Sequence, residues 1–181
     1  TGKAFDCRVG CLALLKAMKA LADEELAVDV IGVLSSQEEV GGRGARVAAR
    51  RVDPVITLGF EGCPADDTFT PDYAVQSAMK KGPMIRLMDV SMITHPGLAH
   101  FAMHVCQAKE IPLQVAVRSG GGTNGGVYHS MQKGIPSITI SIPSRYVHTP
   151  QGFAAMQDLE QAAQAVIEIV KALTPELLGS L

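Results

Sequence analysis

The stretch Ser119–Pro150 reads SGGGTNGGVYHSMQKGIPSITISIPSRYVHTP and contains a glycine-rich loop, a short helix, a strand and a polar ending. A helix is predicted over Val127–Gln132, because Gly134 follows it as a common helix terminator. The apolar, β-branched run Pro136–Ile142 is typical of a buried strand. The stretch thus combines a helix and a strand, and the same alternation along the chain predicts the fold class.

The rest of the chain also alternates between helical and strand patterns. Helices are predicted over Val9–Leu21, Ala45–Arg51, Pro96–Lys109 and Gly152–Leu173. Strands are predicted over Ala27–Leu34, Pro54–Phe60, Pro83–Met88 and Leu113–Val117. This alternation predicts an α/β fold, a three-layer αβα sandwich with helices on both faces of a mixed, largely parallel sheet. Functional side chains of such sheets gather in the loops at the strand ends.

Composition narrows the class of protein. The length of 181 residues fits one domain, and 47% apolar residues can form a substantial core. A net charge of −2 argues against a nucleic-acid partner, and no apolar run is long enough to predict a membrane span. No signal peptide is recognisable, and the free thiols fit a reducing, cytoplasmic location.

The four cysteines do not predict a metal site by their spacing. Cys7 and Cys11 lie one helical turn apart, but no second pair completes a four-cysteine site. They are therefore interpreted, together with Cys63 and Cys106, as reduced and mostly buried thiols.

Five acidic or imidazole side chains stand at the junctions between predicted elements. One precedes the first helix and the others follow predicted strands: Asp6, Glu38, Glu39, Glu61 and His148. Carboxylates combined with imidazole suit divalent metals, including zinc. In the adjacent pair Glu38–Glu39, one side chain can bind a metal while the other accepts a proton from an activated water. Taken alone, the pair would be an acidic turn exposed to water.

Four segments together resemble the dinuclear zinc aminopeptidases of the tetrahedral (TET), glutamyl aminopeptidase and FrvX type. They are FDCRVGCLALL, SSQEEVGGRGA, LGFEGCPADDT and the stretch quoted first, and they occur in the family's order. The resemblance implies that Asp6 bridges two metal ions and that Glu38 is the general base. It implies that Glu39 and His148 bind the second ion and that Glu61 binds the first.

The resemblance also implies an activity. Members hydrolyse N-terminal residues from short peptides through a metal-activated water, using two divalent ions, zinc first, with cobalt or manganese as alternatives. The expected partners are a peptide substrate and copies of the same chain, from a dimer up to a dodecamer, with no nucleic acid and no membrane. The glycine-rich loop, through Gly121, Gly122, Thr123 and Asn124, is expected to line the substrate pocket.

Two departures from the family pattern affect these expectations. The family's upstream histidine ligand and inserted small β domain are absent, so residues 1–181 are expected to be a catalytic domain incomplete at its N-terminus. The first metal ion would then retain only Asp6 and Glu61 and bind weakly or not at all, and the chain alone could be inactive. Asn124 also replaces an aspartate of the family's GGTDAG loop, which removes a negative charge near the pocket.

Two alternatives remain open at the level of sequence. A glycoside hydrolase would use a carboxylate pair such as Glu38 and Glu61, although the absence of tryptophan removes the usual sugar platforms. A non-catalytic fragment or assembly module of the same family is the second. Asp66 or Asp67 could support the site or simply cap a turn, and Arg145 could hold the His148 loop through a carboxylate or face solvent.

Overall fold

A computed structural model describes residues 1–181. The strands are β1 (Thr57–Pro64), β2 (Met84–Met88), β3 (Gln114–Val117), β4 (Ser137–Arg145) and β5 (Phe153–Ala154). The helices are α1 (Phe5–Leu21), α2 (Arg43–Val52), α3 (Pro96–Ala108), α4 (Asn124–His129), α5 (Met156–Ala172) and α6 (Pro175–Ser180). None of these helices combines the length and the apolar content needed to span a lipid bilayer.

The strands form one mixed sheet in the order β1-β4-β2-β3, with β5 added at the end of β4. The longest ladder is parallel and joins β1 to β4 from Thr57–Ser137 to Pro64–Ser144. Strands β2 and β3 are also parallel, whereas β2 and β5 run antiparallel to β4. The predicted α/β class with a mixed, largely parallel sheet is confirmed.

The central strand β4 separates the two faces of the sheet by simple alternation. Ile138, Ile140 and Ile142 are fully buried and belong to the main core, together with apolar residues of α1, α3 and α5. Thr139 lies on the opposite face, where its hydroxyl is 3.2 Å from the Thr123 hydroxyl next to α4. Helices therefore cover both faces, as the three-layer prediction requires.

The prediction of a strand over Ala27–Leu34 is wrong. This segment forms no ladder, and its apolar side chains Ile31 and Leu34 are about 62% and 60% exposed. Gly32 packs against Met18 of α1, and the segment lines an open, largely apolar groove of about 790 Å³ together with β1. A β-branched run has a preference for strand structure but does not form a strand without pairing: β1 is an edge strand that pairs only with β4, and no backbone hydrogen bond joins its free edge to this segment.

Several element boundaries also differ from the predicted ones, including those of β1, α4 and α5. Strand β1 continues to Pro64, so Glu61 lies within the strand opposite Ser141 and does not follow the strand. Helix α4 begins at Asn124, because the Thr123 side chain accepts a hydrogen bond from the Gly125 N–H at 3.1 Å and caps it. The last part of the predicted glycine-rich loop is therefore helical. The long helix α5 begins at Met156, after the short strand β5.

Candidate metal centre

The N-terminal segment places Asp6 beside the end of β4. Gly2 and Gly152 exchange two backbone hydrogen bonds of 3.1 and 2.8 Å, which hold the chain start next to the loop after β4. Helix α1 then approaches β1 closely at Gly10, where a β-carbon would lie only 3.2 Å from the carbonyl oxygen of Phe60 in β1. Asp6 and Cys7 have non-helical dihedral angles before the regular part of α1. Their side chains are thereby set against β1.

The turn before α2 carries Glu38 and Glu39. The carbonyl of Glu38 accepts hydrogen bonds from the N–H groups of Gly41 and Gly42 at 3.0 and 2.9 Å. Gly42 has a φ of +60°, and a β-carbon there would lie 2.4 Å from a methyl group of Val127. The turn is therefore closed on itself and packed against α4, which fixes the positions of the two glutamates.

His148 reaches the same place from the loop after β4. Its Nε2 lies 3.1 Å from Asp6 Oδ2 and 3.2 Å from Glu39 Oε2. The loop begins at Arg145, whose Nη2 donates to both carboxylate oxygens of Asp67 at 2.9 and 3.0 Å. Of the two alternatives left open for Arg145, the carboxylate pair is therefore the one present. We call Asp6, Glu39 and His148 the exposed half of the centre.

Asp66, in contrast, supports the fold away from these ligands. Its carboxylate accepts hydrogen bonds from the N–H groups of Gln76 and Ser77 and pairs with Arg118 at 2.7 Å. Of the two adjacent aspartates, Asp67 is thus the one connected to the His148 loop.

A second group shares Asp6 and lies deeper. Ligand atoms of Asp6, Cys7 and Glu61 all fall within 4.8 Å of one another. The Gly62 N–H donates to Glu61 Oε1 at 3.0 Å and also points to Cys7 Sγ at 3.1 Å. We call these three residues the buried half of the centre. Sequence reasoning missed Cys7, because it compared this cysteine with Cys11 and not with the neighbouring Asp6.

The clustered carboxylates shift each other's proton affinity. Burial, followed by the charges of Glu38 and Asp6, raises the pKa of Glu61 to about 8. Burial and the charge of Glu39 raise the pKa of Asp6, and burial with the charges of Glu39 and Asp6 raises the pKa of Glu38. Such a group is costly to ionise without a cation. Carboxylate, imidazole and thiol donors fit zinc or a similar divalent ion.

The structure brings together the five residues predicted from the junctions: Asp6, Glu38, Glu39, Glu61 and His148. The four residues of the predicted pocket loop lie in different environments. Asn124 donates to Ser35 Oγ at 3.2 Å and lines the apolar groove beside Glu38. Thr123 is buried with its hydroxyl turned into the fold, while Gly121 and Gly122 are exposed.

Comparison with known proteins agrees with this geometry. The sequence profile of the M42 glutamyl aminopeptidase family matches residues 1–164 of this chain. The chain belongs to this family. The resemblance drawn from the four sequence segments is thereby confirmed.

Relatives of this M42 chain include named peptidases. A glutamyl aminopeptidase of Lactococcus lactis subsp. cremoris is 34% identical over 99% of this chain and 49% of its own length. The crystal structure of a TET aminopeptidase from a marine sediment thaumarchaeote superposes with a TM-score of 0.95 at 38% identity, covering 99% of this chain and 51% of that one. The Pyrococcus horikoshii TET1 peptidase, which can assemble into a tetrahedron or a large octahedral shell, gives 0.84 at 28% identity, covering 96% and 50%. The chain thus spans about half the length of these relatives.

Proposed function

We propose that this chain is the catalytic part of a metal-dependent aminopeptidase that removes N-terminal residues from short peptides. The observation that carries the proposal is the convergence of Asp6, Glu39 and His148, with nitrogen–oxygen distances of 3.1 and 3.2 Å. These residues come from three separate parts of the chain. Membership of the M42 family supports the same conclusion.

The two halves of the centre would each hold one divalent ion, with the Asp6 carboxylate shared between them. Glu39 and His148 complete the exposed position, and Glu61 contributes to the buried one. When bound, the ions would polarise the scissile carbonyl and lower the pKa of the attacking water to about 7. Zinc fits this donor set best.

Glu38 is the proposed general base. It is half-buried beside the ligands, and burial together with the charges of Glu39 and Asp6 raises its pKa. A carboxylate with a raised pKa is a better proton acceptor near neutral pH than an exposed one. Glu38 would take the proton of the attacking water and then deliver it to the departing amine.

The substrate would lie in the groove that opens at these carboxylates. Asp6, Glu38 and Glu39 line one end of it, and Asn124 and Tyr128 line its wall. The acidic end attracts the positively charged amino terminus of a peptide, while the apolar walls accept side chains. This arrangement supports removal of the first residue over internal cleavage.

Hydrolysis of amino-acid anilides tests the proposal. We expect activity after addition of zinc or cobalt, loss of activity with a chelator, and recovery when metal is restored. Peptides with an acetylated N-terminus should not be cleaved. Cleavage of acetylated peptides, or full activity in the chelated protein, would refute the assignment. Activity on cellulose fragments and none on anilides would favour the glycoside hydrolase, whose second carboxylate would be Glu61, here only 8% exposed.

We also propose that the protein forms a homo-oligomer, because the TET1 relative forms closed shells. Sedimentation of the metal-loaded chain measures its assembly state. An assembled chain that binds no metal and cleaves no anilide would instead favour the assembly module.

A further inference from the structure

The buried half contains a donor atom that the family resemblance does not use, the sulfur of Cys7. This sulfur lies within 4.8 Å of ligand oxygens of both Asp6 and Glu61. It also receives the Gly62 N–H at 3.1 Å. The neighbouring thiol of Cys11, one helical turn later, is exposed to solvent and provides a natural comparison.

We propose that Cys7 is a metal ligand, and that the buried half binds a zinc-type ion through Asp6, Cys7 and Glu61. The inference rests on the proposed metallopeptidase function and specifies one of its two metal positions. From sequence, this position had only two carboxylates and was expected to bind metal weakly. Within residues 1–181 the sulfur adds a third donor to these two carboxylates, and catalytic zinc sites typically use three protein donors.

Burial and the neighbouring Glu61 carboxylate raise the pKa of the Cys7 thiol well above its usual range, so the thiolate would form only together with a bound cation. On binding, the metal ion replaces the thiol proton, which passes to solvent. The Gly62 N–H then donates to a charged acceptor, and such hydrogen bonds are about twice as strong as neutral ones. Zinc–sulfur and zinc–oxygen distances are about 2.3 Å and about 2.0–2.2 Å. The three donors lie within 4.8 Å of one another, close to the spacing that these bond lengths require.

A thiolate also gives the two positions different metal preferences. Sulfur ligands favour zinc and similar transition metals, whereas sites built from carboxylate, carbonyl and water suit magnesium, calcium and manganese. The exposed half, with two carboxylates and one imidazole, lacks sulfur. The buried position should therefore discriminate against manganese more strongly than the exposed one.

Cobalt absorption tests the proposal directly. Cobalt is added to the metal-free wild-type chain and to the Cys7→Ser and Cys11→Ser variants, and the spectra are recorded together with the bound cobalt per chain. We expect a thiolate-to-cobalt charge-transfer band in the near ultraviolet for wild type and Cys11→Ser, and none for Cys7→Ser. We further expect Cys7→Ser to weaken the buried position by more than the roughly 10–100-fold cost of losing an outer hydrogen-bonding partner.

The outcomes separate this inference from the proposed function. Cobalt bound without a charge-transfer band in wild type, or a band retained in Cys7→Ser, overturns the role of Cys7 and leaves the peptidase proposal intact. No cobalt bound at all overturns both. If Cys7→Ser does not fold, cadmium-113 NMR of the wild-type chain decides the point, since sulfur ligation shifts the resonance strongly downfield from that of an oxygen-only site. A resonance at the oxygen-only position overturns the inference.

Discussion

The exposed and the buried halves of the candidate centre share Asp6 but differ in how far water reaches their other ligands. The side chains of Glu39 and His148 are 53% and 68% exposed, whereas Glu61 is 8% exposed. Water screens the charges of the exposed half, so the His148 contacts add little to folding stability. In the buried half, desolvation raises the pKa of Glu61 to about 8. Metal binding in the exposed half therefore depends mainly on the geometry of its ligands. In the buried half it depends mainly on the free-energy cost of burying the Glu61 charge.

Asp6→Asn should have the largest effect, because it removes the one ligand that both halves share. We expect loss of both metal ions and a fall in kcat/KM of at least roughly 10⁴-fold, the upper range for loss of a general base. Equilibrium dialysis measures metal per chain, and anilide hydrolysis measures kcat/KM. Asp23→Asn, a change at an exposed position just after α1 and outside the groove, is the matched control and should alter neither quantity. Two tight sites in Asp6→Asn would show that the halves are independent.

Glu38→Gln should separate chemistry from metal binding. Glu38 belongs to neither group of ligands, but its charge acts on Glu61 in the buried half. We expect kcat to fall roughly 10²–10⁴-fold, because the proton acceptor is lost while the shape is kept. Metal content should stay at the wild-type value. The matched Glu39→Gln variant should lose metal from the exposed half, and equal behaviour of the two variants would remove the distinction between base and ligand.

The pH dependence of stability should distinguish the two halves without any metal. An unfolded glutamate titrates near 4.5, and Glu61 in the folded chain titrates near 8. The folded state therefore holds this proton more tightly, so its stabilising effect is complete below pH 4.5 and is lost as pH rises to about 8. Each pKa unit corresponds to about 1.4 kcal/mol, so the free energy of unfolding should fall by several kcal/mol over this interval.

Denaturant unfolding of the chelated protein between pH 4.5 and 9 measures this decline. Glu61→Gln should remove most of it, because the amide does not titrate. Glu39→Gln, the counterpart in the exposed half, should keep the decline close to that of wild type. A wild-type stability that rises across this interval would contradict the burial of an unpaired Glu61.

Sequence patterns predicted most of the fold and of the exposed half. The alternating helices and strands depend on local patterns that short segments carry by themselves, whereas the roles expected of Glu38 and Glu39 came from the resemblance of their turn to the family. The Ala27–Leu34 segment was assigned wrongly in this way, because β propensity does not decide whether a run pairs with a neighbouring strand, and this segment leaves the free edge of β1 unpaired. The role of Cys7 was also hidden, since it depends on where α1 meets Glu61 of β1.

The smallest effect is expected from Asp67→Asn, which weakens the ion pair that holds Arg145 at the start of the His148 loop. His148 itself stays intact, so Asp67 acts only as a positioning residue. We expect metal affinity of the exposed half to fall roughly 10-fold, at the lower end of the cost of losing an outer partner. The buried half should keep its cobalt–sulfur band, which a general loss of folding would not allow.

Asp66→Asn is the matched control: it breaks the Arg118 pair, so it should lower the unfolding midpoint and leave the affinity of the exposed half unchanged. If both variants weaken metal binding equally, the loop is held by the fold as a whole and not by the Arg145–Asp67 pair.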